Sequence, residues 1–307
     1  MASLVRRLAK SLVPRKLRSR IMSSLVPQGD WRGVMDLRGV TDDPVAACYM
    51  AHRSSPVIDV PLSRCIGFDW IGTPFEPRLH PFISTVIAMR EGRCESYLTS
   101  PLCDYHRSYQ PHDAFEVLGV DRCERMLKRG FADPWAAVSP WMPDIGALRP
   151  EHMPQTIRKT AASDYAKAGL RVPKGATLYM FGPFDEETGQ VEYDRLVSLH
   201  ERIGADGLQR SDAPQGDITG IVLLGSDGTW RVQVRDGQHR AAVASSLGMD
   251  RIPIRLFPMV SSVLIRRDEV LSWPHVCSGL FTPEQALAVF DRLLSGVPSS
   301  GWAADAT

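Results

Sequence analysis

The sequence contains no asparagine, and only six of its 36 basic residues are lysine. The missing asparagine excludes any Asn-x-Ser/Thr glycosylation site, and the arginine excess fits a GC-rich gene, so it does not by itself indicate nucleic-acid binding. The six cysteines form no Cys-x-x-Cys pair, which disfavours a zinc ribbon or a disulfide scaffold. No apolar run approaches the roughly 20 residues that cross a bilayer. These absences predict a cytoplasmic protein, and 307 residues suffice for a large core.

The formal net charge of +1 is the sum of two unequal parts. Residues 1–29 carry seven basic residues and no acidic one, so the remaining 278 residues carry 29 basic and 35 acidic residues, a net charge of −6. A negative body opposes binding to a phosphate backbone, and we therefore do not expect this protein to bind DNA. The pattern predicts a basic leader on a mildly acidic body.

Apolar residues recur at helical spacing in this leader, between its basic residues: Leu4, Val5, Leu8, Leu12, Val13, Leu17, Ile21 and Leu25. An amphipathic segment over residues 3–25 could lie on the inner face of an anionic membrane or on a partner protein. It could equally pack on the protein's own body, or serve as an Arg-rich targeting leader. The sequence leaves these three alternatives open.

Composition and hydrophobic periodicity divide the chain into five parts. We assign residues 1–29 to the basic leader and 30–150 to a mostly helical region of unknown role. Residues 175–260 form a module of strands and helices, 261–296 a C-terminal helical extension, and 297–307 a disordered tail. The fold class expected from this order is α+β, a mixed-sheet module with the helical N-terminal region packed on it.

The clearest periodicity lies in the second half of the chain. We expect a helix, two strands, a second helix and a third strand, in the order Glu192–Gly207, Ile218–Leu224, Trp230–Arg235, Gln238–Leu247 and Ile252–Phe257. The third strand should lie at a sheet edge, because Pro253 lacks a backbone N–H. Thr282-Pro283-Glu284-Gln285 predicts a helix start with a capping box.

In the first half, turn-rich links separate short elements. Val57–Val60 predicts a strand that stops at Pro61. Three helices are expected over His80–Arg90, Ser100–Tyr109 and Asp121–Arg129. The polar and aromatic residues of the second of these, residues 105–109, could line a pocket or simply pack as a helix.

Asp236-Gly237-Gln238-His239-Arg240 is the segment most suggestive of chemistry, because it lies where a strand passes into a helix. The first turn of a helix exposes unpaired N–H groups and the positive end of the helix dipole, which together favour an anion. Gly237 has no Cβ to keep a phosphate away, and Arg240 could hold phosphate oxygens. Asp236 could act as a base, a metal ligand or the helix cap. An ordinary Asp-Gly turn before a surface helix would give the same pattern.

The stretch from Glu192 to Leu256 resembles the ParB/sulfiredoxin superfamily. The resemblance rests on the D-G-x-H-R box at residues 236–240, the helix that ends in Leu247-Gly248, and the Ile-Pro of Ile252-Pro253. It covers under a third of the chain. Members of this superfamily bind nucleotides at the box, so the resemblance implies a nucleotide-binding module in which Gly237, Gln238, His239 and Arg240 contact the nucleotide.

Three kinds of relative differ at the box. Sulfiredoxins need a cysteine where this chain has Gln238, so their repair chemistry lacks its nucleophile here. ParB proteins, which bind CTP, add a helix-turn-helix, and residues 259–273 show no such pattern. Free serine kinases carry D-G-H-H-R and transfer a phosphoryl group from ADP to a hydroxyl, and this box differs from theirs only at Gln238. The resemblance therefore implies Asp236 and His239 as catalytic residues, with Asp236 also a metal ligand.

The kinase relatives also carry an acidic residue shortly before the first helix, which acts as the base. In this chain we expect Glu186, or its neighbour Asp185, in that role. No Walker A, G-x-G-x-x-G, H-E-x-x-H or G-x-S-x-G pattern is present.

The resemblance thus implies a nucleotide-binding protein that uses ATP, ADP or CTP with Mg²⁺. Within that class we expect a phosphotransferase acting on a small hydroxyl-bearing metabolite. The alternative is a non-catalytic, nucleotide-gated adaptor that docks on a membrane or a partner protein through residues 3–25.

Overall fold

The computed structural model describes residues 33–167, 169, 171–172, 177–210, 216–257 and 262–304. The basic leader, including residues 3–25, lies outside these residues, so its predicted helix and its membrane contact stay predictions. Within the described part of the chain, no helix combines the length and the apolar character needed to cross a membrane.

A single mixed sheet of eight strands forms the centre of the described structure. The strands are β1 (Val34–Asp36), β2 (Ser55–Pro61), β3 (Cys65–Gly67), β4 (Thr73–Pro74), β5 (Ile218–Leu224), β6 (Trp230–Asp236), β7 (Arg251–Leu256) and β8 (Leu264–Arg266). Seven of them lie in the order β1-β2-β7-β5-β6-β3-β4, and β8 lies off this path and pairs with β5. Strand β5 pairs in parallel with β7 over its first half and with β8 over its second half.

Helices of very different length surround the sheet. They are α1 (Pro44–Ala51), α2 (Pro81–Arg90), α3 (Pro101–Ser108), α4 (Ala114–Leu118), α5 (Glu124–Leu127), α6 (Met153–Lys167), α7 (Glu186–Asp206), α8 (Gln238–Ser246), α9 (Pro274–Cys277) and α10 (Pro283–Ser295). The predicted α+β class with a mixed sheet is therefore confirmed.

The sheet combines strands from both halves of the chain. Strand β2 pairs antiparallel with β7, and β3 pairs parallel with β6. Residues 34–74 are therefore part of the central sheet rather than of a separate helical layer. The boundary that the sequence suggested between residues 150 and 175 does not separate two sheets.

Strand β5 is the centre of this sheet, and all seven of its residues are buried. Its bounds are those predicted from the sequence. Strand β7 also forms, but the expectation that it is an edge strand is wrong, because it lies between β2 and β5. Pro253 pairs with Asp59 of β2, and pairing with β5 begins only at Ile254. The proline is accommodated in an inner strand because it precedes the stretch that β5 contacts.

The signals at helix ends were informative. The capping box of α10 is present, with the Thr282 hydroxyl and the Gln285 side chain each accepting a backbone N–H of the other residue. Helix α7 begins six residues earlier than predicted, because Asp185 caps it by accepting the Thr188 N–H at 2.8 Å. Helix α5 is shorter than predicted, since only Glu124–Leu127 is helical.

The expectation of a disordered tail from residue 297 is wrong for residues 297–304. Ser299 donates its backbone N–H to Ile71 and its hydroxyl to the Val117 carbonyl, at 3.0 and 2.8 Å. The Trp302 ring packs edge-on against Tyr105, with centroids 5.3 Å apart. These contacts hold the segment against the body, and the high Ser, Gly and Ala content of the tail gave no sign of them.

Helices α2 and α8 cover one face of the sheet and pack on each other. Gly67 of β3 lies close to the start of both helices. A Cβ at Gly67 would lie 3.1 Å from the Gln238 side chain of α8 and 3.3 Å from Nε2 of His80, which precedes α2. Buried apolar residues of β5, β6 and β7 complete this face, among them Val232, Val234 and Ile254. The start of α8 is thus held at the edge of the sheet where β3 and β6 end.

Candidate functional site

The D-G-x-H-R box lies, as predicted, where β6 passes into α8. Gly237 is the N-cap of α8 and has a left-handed backbone with φ of 82°. A Cβ there would lie 2.9 Å from Ile218 Cγ1 and 2.9 Å from Arg240 Nη2, so both the conformation and the space require glycine. The first-turn N–H groups of α8 are the unpaired donors of a helix start.

Asp236 is half-buried at the end of β6 and lies beside this helix start. Its carboxylate accepts the backbone N–H of Gly237 at 2.7 Å. The pairing register between β5 and β6 shifts between Thr219 and Gly220, and Asp236 lies opposite Thr219. Such irregularities can redirect a side chain, and this one lies next to Asp236.

Gln238 points into the protein. Its side chain is 4 % exposed, and its Oε1 accepts the backbone N–H of Phe68 at 2.6 Å. Phe68 belongs to the turn that follows β3, so this hydrogen bond joins the first residue of α8 to the neighbouring strand end. The predicted contact between Gln238 and a nucleotide stays a prediction, but in this conformation the side chain is used elsewhere.

The turn after β3 has an unusual backbone. Phe68 and Asp69 have φ of 54° and 43°, a left-handed conformation that non-glycine residues adopt rarely. Gln233 holds the turn by donating its Nε2 to the Asp69 carbonyl at 2.7 Å. Arg235 Nη1 pairs with the Asp69 carboxylate at 2.6 Å. Backbone strain of this kind persists only where the surroundings enforce it, and it occurs often at functional sites.

Burial raises the pKa of Asp69, while the guanidinium of Arg235 opposes that rise. A carboxylate with a raised pKa is a stronger proton acceptor than an ordinary one. Asp69 therefore combines a strained backbone, a paired cation and a perturbed pKa beside the box.

His239 forms the most buried contact of the box. Its Nε2 lies 2.5 Å from Glu192 Oε2 of α7, and the two side chains are 4 % and 1 % exposed. Arg195, one turn further along α7, lies 4.0 Å from the other oxygen of Glu192 and 2.8 Å from Asp164. These four side chains form a network that joins α6, α7 and α8, buried at His239 and Glu192 and partly exposed at Asp164.

Electrostatics favour an ionised Glu192 beside a neutral His239. Burial opposes the charge on Glu192, yet His239 and Arg195 together hold the pKa of its carboxyl below the ordinary value. Burial and the charge of Arg195 lower the pKa of His239. A neutral imidazole that donates from Nε2 to a carboxylate satisfies both groups.

Aromatic rings enclose the imidazole of His239. Phe82 stacks on it with centroids 4.4 Å apart, and Tyr179 contacts it edge-on at 4.5 Å. Tyr179 is itself held by His106, whose Nε2 donates to the Tyr179 carbonyl at 3.0 Å. The Tyr97 hydroxyl then donates to His106 Nδ1 at 3.1 Å. Burial lowers the pKa of His106 to about 4, in agreement with this neutral tautomer.

Arg240 contacts backbone rather than open space. It donates Nη1 to the Gly216 carbonyl at 2.6 Å and Nη2 to the Asp217 carbonyl at 3.0 Å. Its side chain thus ties the start of α8 to the start of β5. An arginine in this position contributes positive charge at the helix start, but two of its donors are already used.

Glu186 lies apart from the contacts described for the box. It is the first residue of α7 and is exposed. Burial raises the pKa of the Cys103 thiol in α3, and the negative charge of Glu186 adds to that rise. The carboxylate of α7 that contacts the box is that of Glu192, six residues further along. The predicted catalytic role of Glu186 therefore has no contact in its support among the described residues.

The described residues contain no group of three His, Cys, Asp or Glu side chains that could hold a metal ion. Mg²⁺ commonly binds proteins through one or two carboxylates together with substrate phosphates. The half-buried carboxylate of Asp236 at the helix start fits that kind of site, although its contact with the Gly237 N–H uses part of its acceptor capacity.

Two residues of this site were not selected from the sequence. Glu192 could have been selected, because it lies on the same helical face as the apolar residues Leu196, Leu199 and Ile203. A charged residue on a buried face needs a partner. Asp69 had none, because its importance depends on the backbone of the turn and on the pairing of β3 with β6.

No protein-family model matches the chain, and no curated protein or solved structure matches it either.

Proposed function

We propose that this protein binds a nucleotide at the start of α8 and transfers its terminal phosphoryl group to a small hydroxyl-bearing metabolite. One observation carries the proposal: in the strained turn, the backbone N–H of Phe68 donates to Gln238 in the first turn of α8, and the next residue along the chain is the acidic Asp69. A helix start favours phosphate, and a nearby carboxylate with a raised pKa supplies a base.

The backbone of α8, rather than the side chains of the box, is the expected phosphate ligand. Gln238 and His239 are used by contacts inside the protein, so the first-turn N–H groups and the positive end of the helix dipole remain for the anion. The positive charge of Arg240 also favours an anion at this helix start. Asp236 would hold Mg²⁺ with the phosphates, and the ion would neutralise part of the phosphate charge.

Asp69 replaces Glu186 as the base in this proposal. Asp69 takes the proton of the acceptor hydroxyl as the hydroxyl oxygen bonds to the terminal phosphorus and the bond from phosphorus to the bridging oxygen breaks. The shortened nucleotide leaves with the electrons of that bond.

The contacts of Arg240 and His239 favour a second candidate, the nucleotide-gated adaptor. Two donors of Arg240 are used by carbonyls, and His239 is enclosed by rings, so both residues contribute less to transfer than the resemblance implies. An adaptor would bind the nucleotide without transferring its phosphate. Its docking segment, residues 3–25, lies outside the described structure.

Nucleotide titration followed by turnover tests both candidates. ATP, ADP, CTP and GTP are added singly with Mg²⁺ while the melting temperature is recorded, and labelled phosphate is then followed in the presence of pooled metabolites. We expect Asp69→Asn to retain binding and to lose transfer by about 100-fold or more, while Glu186→Gln retains both. No stabilisation by any of the four nucleotides would overturn both candidates, and binding without transfer would favour the adaptor.

A further inference from the structure

We infer that Gln238 is a positioning residue, which holds the turn of Asp69 in register with the start of α8 and does not contact the nucleotide. This inference rests on the proposed function, since it assigns a role to Gln238 in the placement of the proposed base. Whether Gln238 holds the backbone of the turn can be measured without any catalysis, by amide hydrogen exchange.

The contact itself is short and buried. Gln238 Oε1 accepts the Phe68 N–H at 2.6 Å across 170 positions of sequence. Phe68 is fully buried, so its N–H has no access to water and depends on this acceptor. The next residue along the chain is Asp69, so moving Phe68 moves the carboxylate.

The surroundings leave the Gln238 side chain in one place. The position of a Cβ on Gly67 lies 3.1 Å from Gln238 Oε1 and 3.1 Å from the Phe75 ring, so no larger residue fits beneath it. His80 packs on the same side, with its ring 4.7 Å from that of Phe75. Gln238 therefore fits between the turn and α2 with little freedom.

Two glutamines share the task of holding a left-handed turn. Gln233 of β6 binds the Asp69 carbonyl, and Gln238 of α8 binds the Phe68 N–H. The first fixes the turn to the sheet, and the second fixes it to the helix whose start is the proposed phosphate site. Gln238 is thus the link between the phosphate site and the carboxylate.

This role explains the one departure of the box from the kinase pattern. Neither histidine nor cysteine carries a side-chain oxygen that could accept the Phe68 N–H. Glutamine offers a carbonyl oxygen at the end of a longer side chain. The residue that differs from the related boxes is the one that contacts the strained turn.

The test compares three variants of the full chain. Gln238→Leu removes the acceptor at similar volume, and Gln238→Glu retains an acceptor oxygen. Gln190→Leu is the matched control, because Gln190 Oε1 also accepts a backbone N–H, that of Tyr97 at 3.0 Å, away from the box. Amide hydrogen exchange of residues 66–71, ATP affinity by calorimetry, and the pH profile of slow phosphoryl transfer to water are measured for each.

In Gln238→Leu we expect exchange at Phe68 and Asp69 to rise by at least tenfold and ATP affinity to stay within about twofold. The transfer rate should fall by about 100-fold, as expected for a misplaced catalytic group, with a shifted acidic limb of the pH profile. Gln238→Glu should recover most of the rate, and Gln190→Leu should resemble the wild type in all three measurements.

Unchanged exchange in Gln238→Leu would overturn the inference, and so would lost ATP affinity with an unchanged transfer rate, since Gln238 would then contact the nucleotide. No stabilisation of the wild type by any of the four nucleotides, or binding without phosphoryl transfer, would overturn the proposed transfer and the catalytic part of this inference. The exchange measurement would still decide whether Gln238 holds the turn.

Discussion

Glu192 and His239 are buried almost completely, and each satisfies the other. Taking a carboxylate into the interior is costly unless a partner compensates its charge, and Glu192 has His239 at 2.5 Å and Arg195 at 4.0 Å. Removing one partner therefore harms the remaining one more than the pair itself contributes to stability. This pair stabilises the fold through a hydrogen bond and charge rather than through apolar burial.

Glu192→Ala should lower the free energy of unfolding by about 3–5 kcal/mol, because it leaves the buried N–H of His239 without an acceptor and leaves Asp164 as the remaining carboxylate beside Arg195. Urea unfolding followed by circular dichroism measures the change. Glu187→Ala is the control, since Glu187 lies on the exposed side of α7 and forms a surface ion pair with Arg171; it should cost at most about 1 kcal/mol. Equal losses in the two variants would show that Glu192 does not depend on a buried network.

At the scale of the element, α7 carries two glycines with opposite environments. A Cβ on Gly189 would lie 2.2 Å from the Tyr97 ring, whereas a Cβ on Gly204 would meet no atom within 4 Å. Both positions are helical, so helix propensity alone favours alanine equally at each. The comparison separates propensity from packing within one helix.

Gly204→Ala should raise the free energy of unfolding by about 0.5–1 kcal/mol through helix propensity and reduced backbone entropy. Gly189→Ala should lower it by about 1–3 kcal/mol, because the added methyl forces Tyr97 to move. Thermal unfolding of both variants beside the wild type measures the difference. Stabilisation by Gly189→Ala would mean that α7 is not packed against Tyr97 as described.

Elements with strong local signals were predictable from the sequence, and elements defined by distant contacts were not. The apolar run of β5 gave correct bounds, and the capping box gave the correct start of α10. The inner position of β7 was missed because Pro253 is normally an edge signal, and only the pairing with Asp59 shows why it is tolerated. The ordered segment around Ser299 was missed because its contacts, with Ile71 and Val117, are far away in sequence.

For the whole molecule, buried histidines make stability depend on pH. Burial lowers the pKa of His80 to about 3, and those of His106 and His275 to about 4, while His239 is lowered too. Their ordinary value is about 6.5. In the folded state these groups stay neutral below pH 6.5, whereas in the unfolded chain they bind protons.

Stability should therefore be fully present above about pH 6.5 and should fall as the pH drops toward 4. We expect the free energy of unfolding at pH 5 to be lower than at pH 7.5 by about 3 kcal/mol or more. Urea unfolding at half-unit intervals gives the slope, and His275→Phe, which lies outside the box, should reduce that slope by about one proton. A free energy that is constant from pH 7.5 to 5 would contradict the burial of these imidazoles.

The site was predictable to the same extent as the elements that carry it. The box at residues 236–240 stands out because a strand, a glycine and a helix start are adjacent in sequence. Two partners of the box, Phe68 and Glu192, come from the turn after β3 and from α7, and only the folded chain brings them to it. The local sequence thus predicted the position of the box, while long-range packing determines which other residues contact it.

The interleaved sheet also has a consequence for synthesis of the protein. Val57 of β2 pairs with Arg255 of β7, so β2 leaves the ribosome roughly 200 residues before its partner. At about 5–20 residues per second this delay is roughly 10–40 s. During that interval the edges of β2 and β3 have no β7 or β6 to pair with, and unpaired edges promote aggregation. Nascent chains that stall before residue 250 should therefore be the form of this protein that most needs a chaperone.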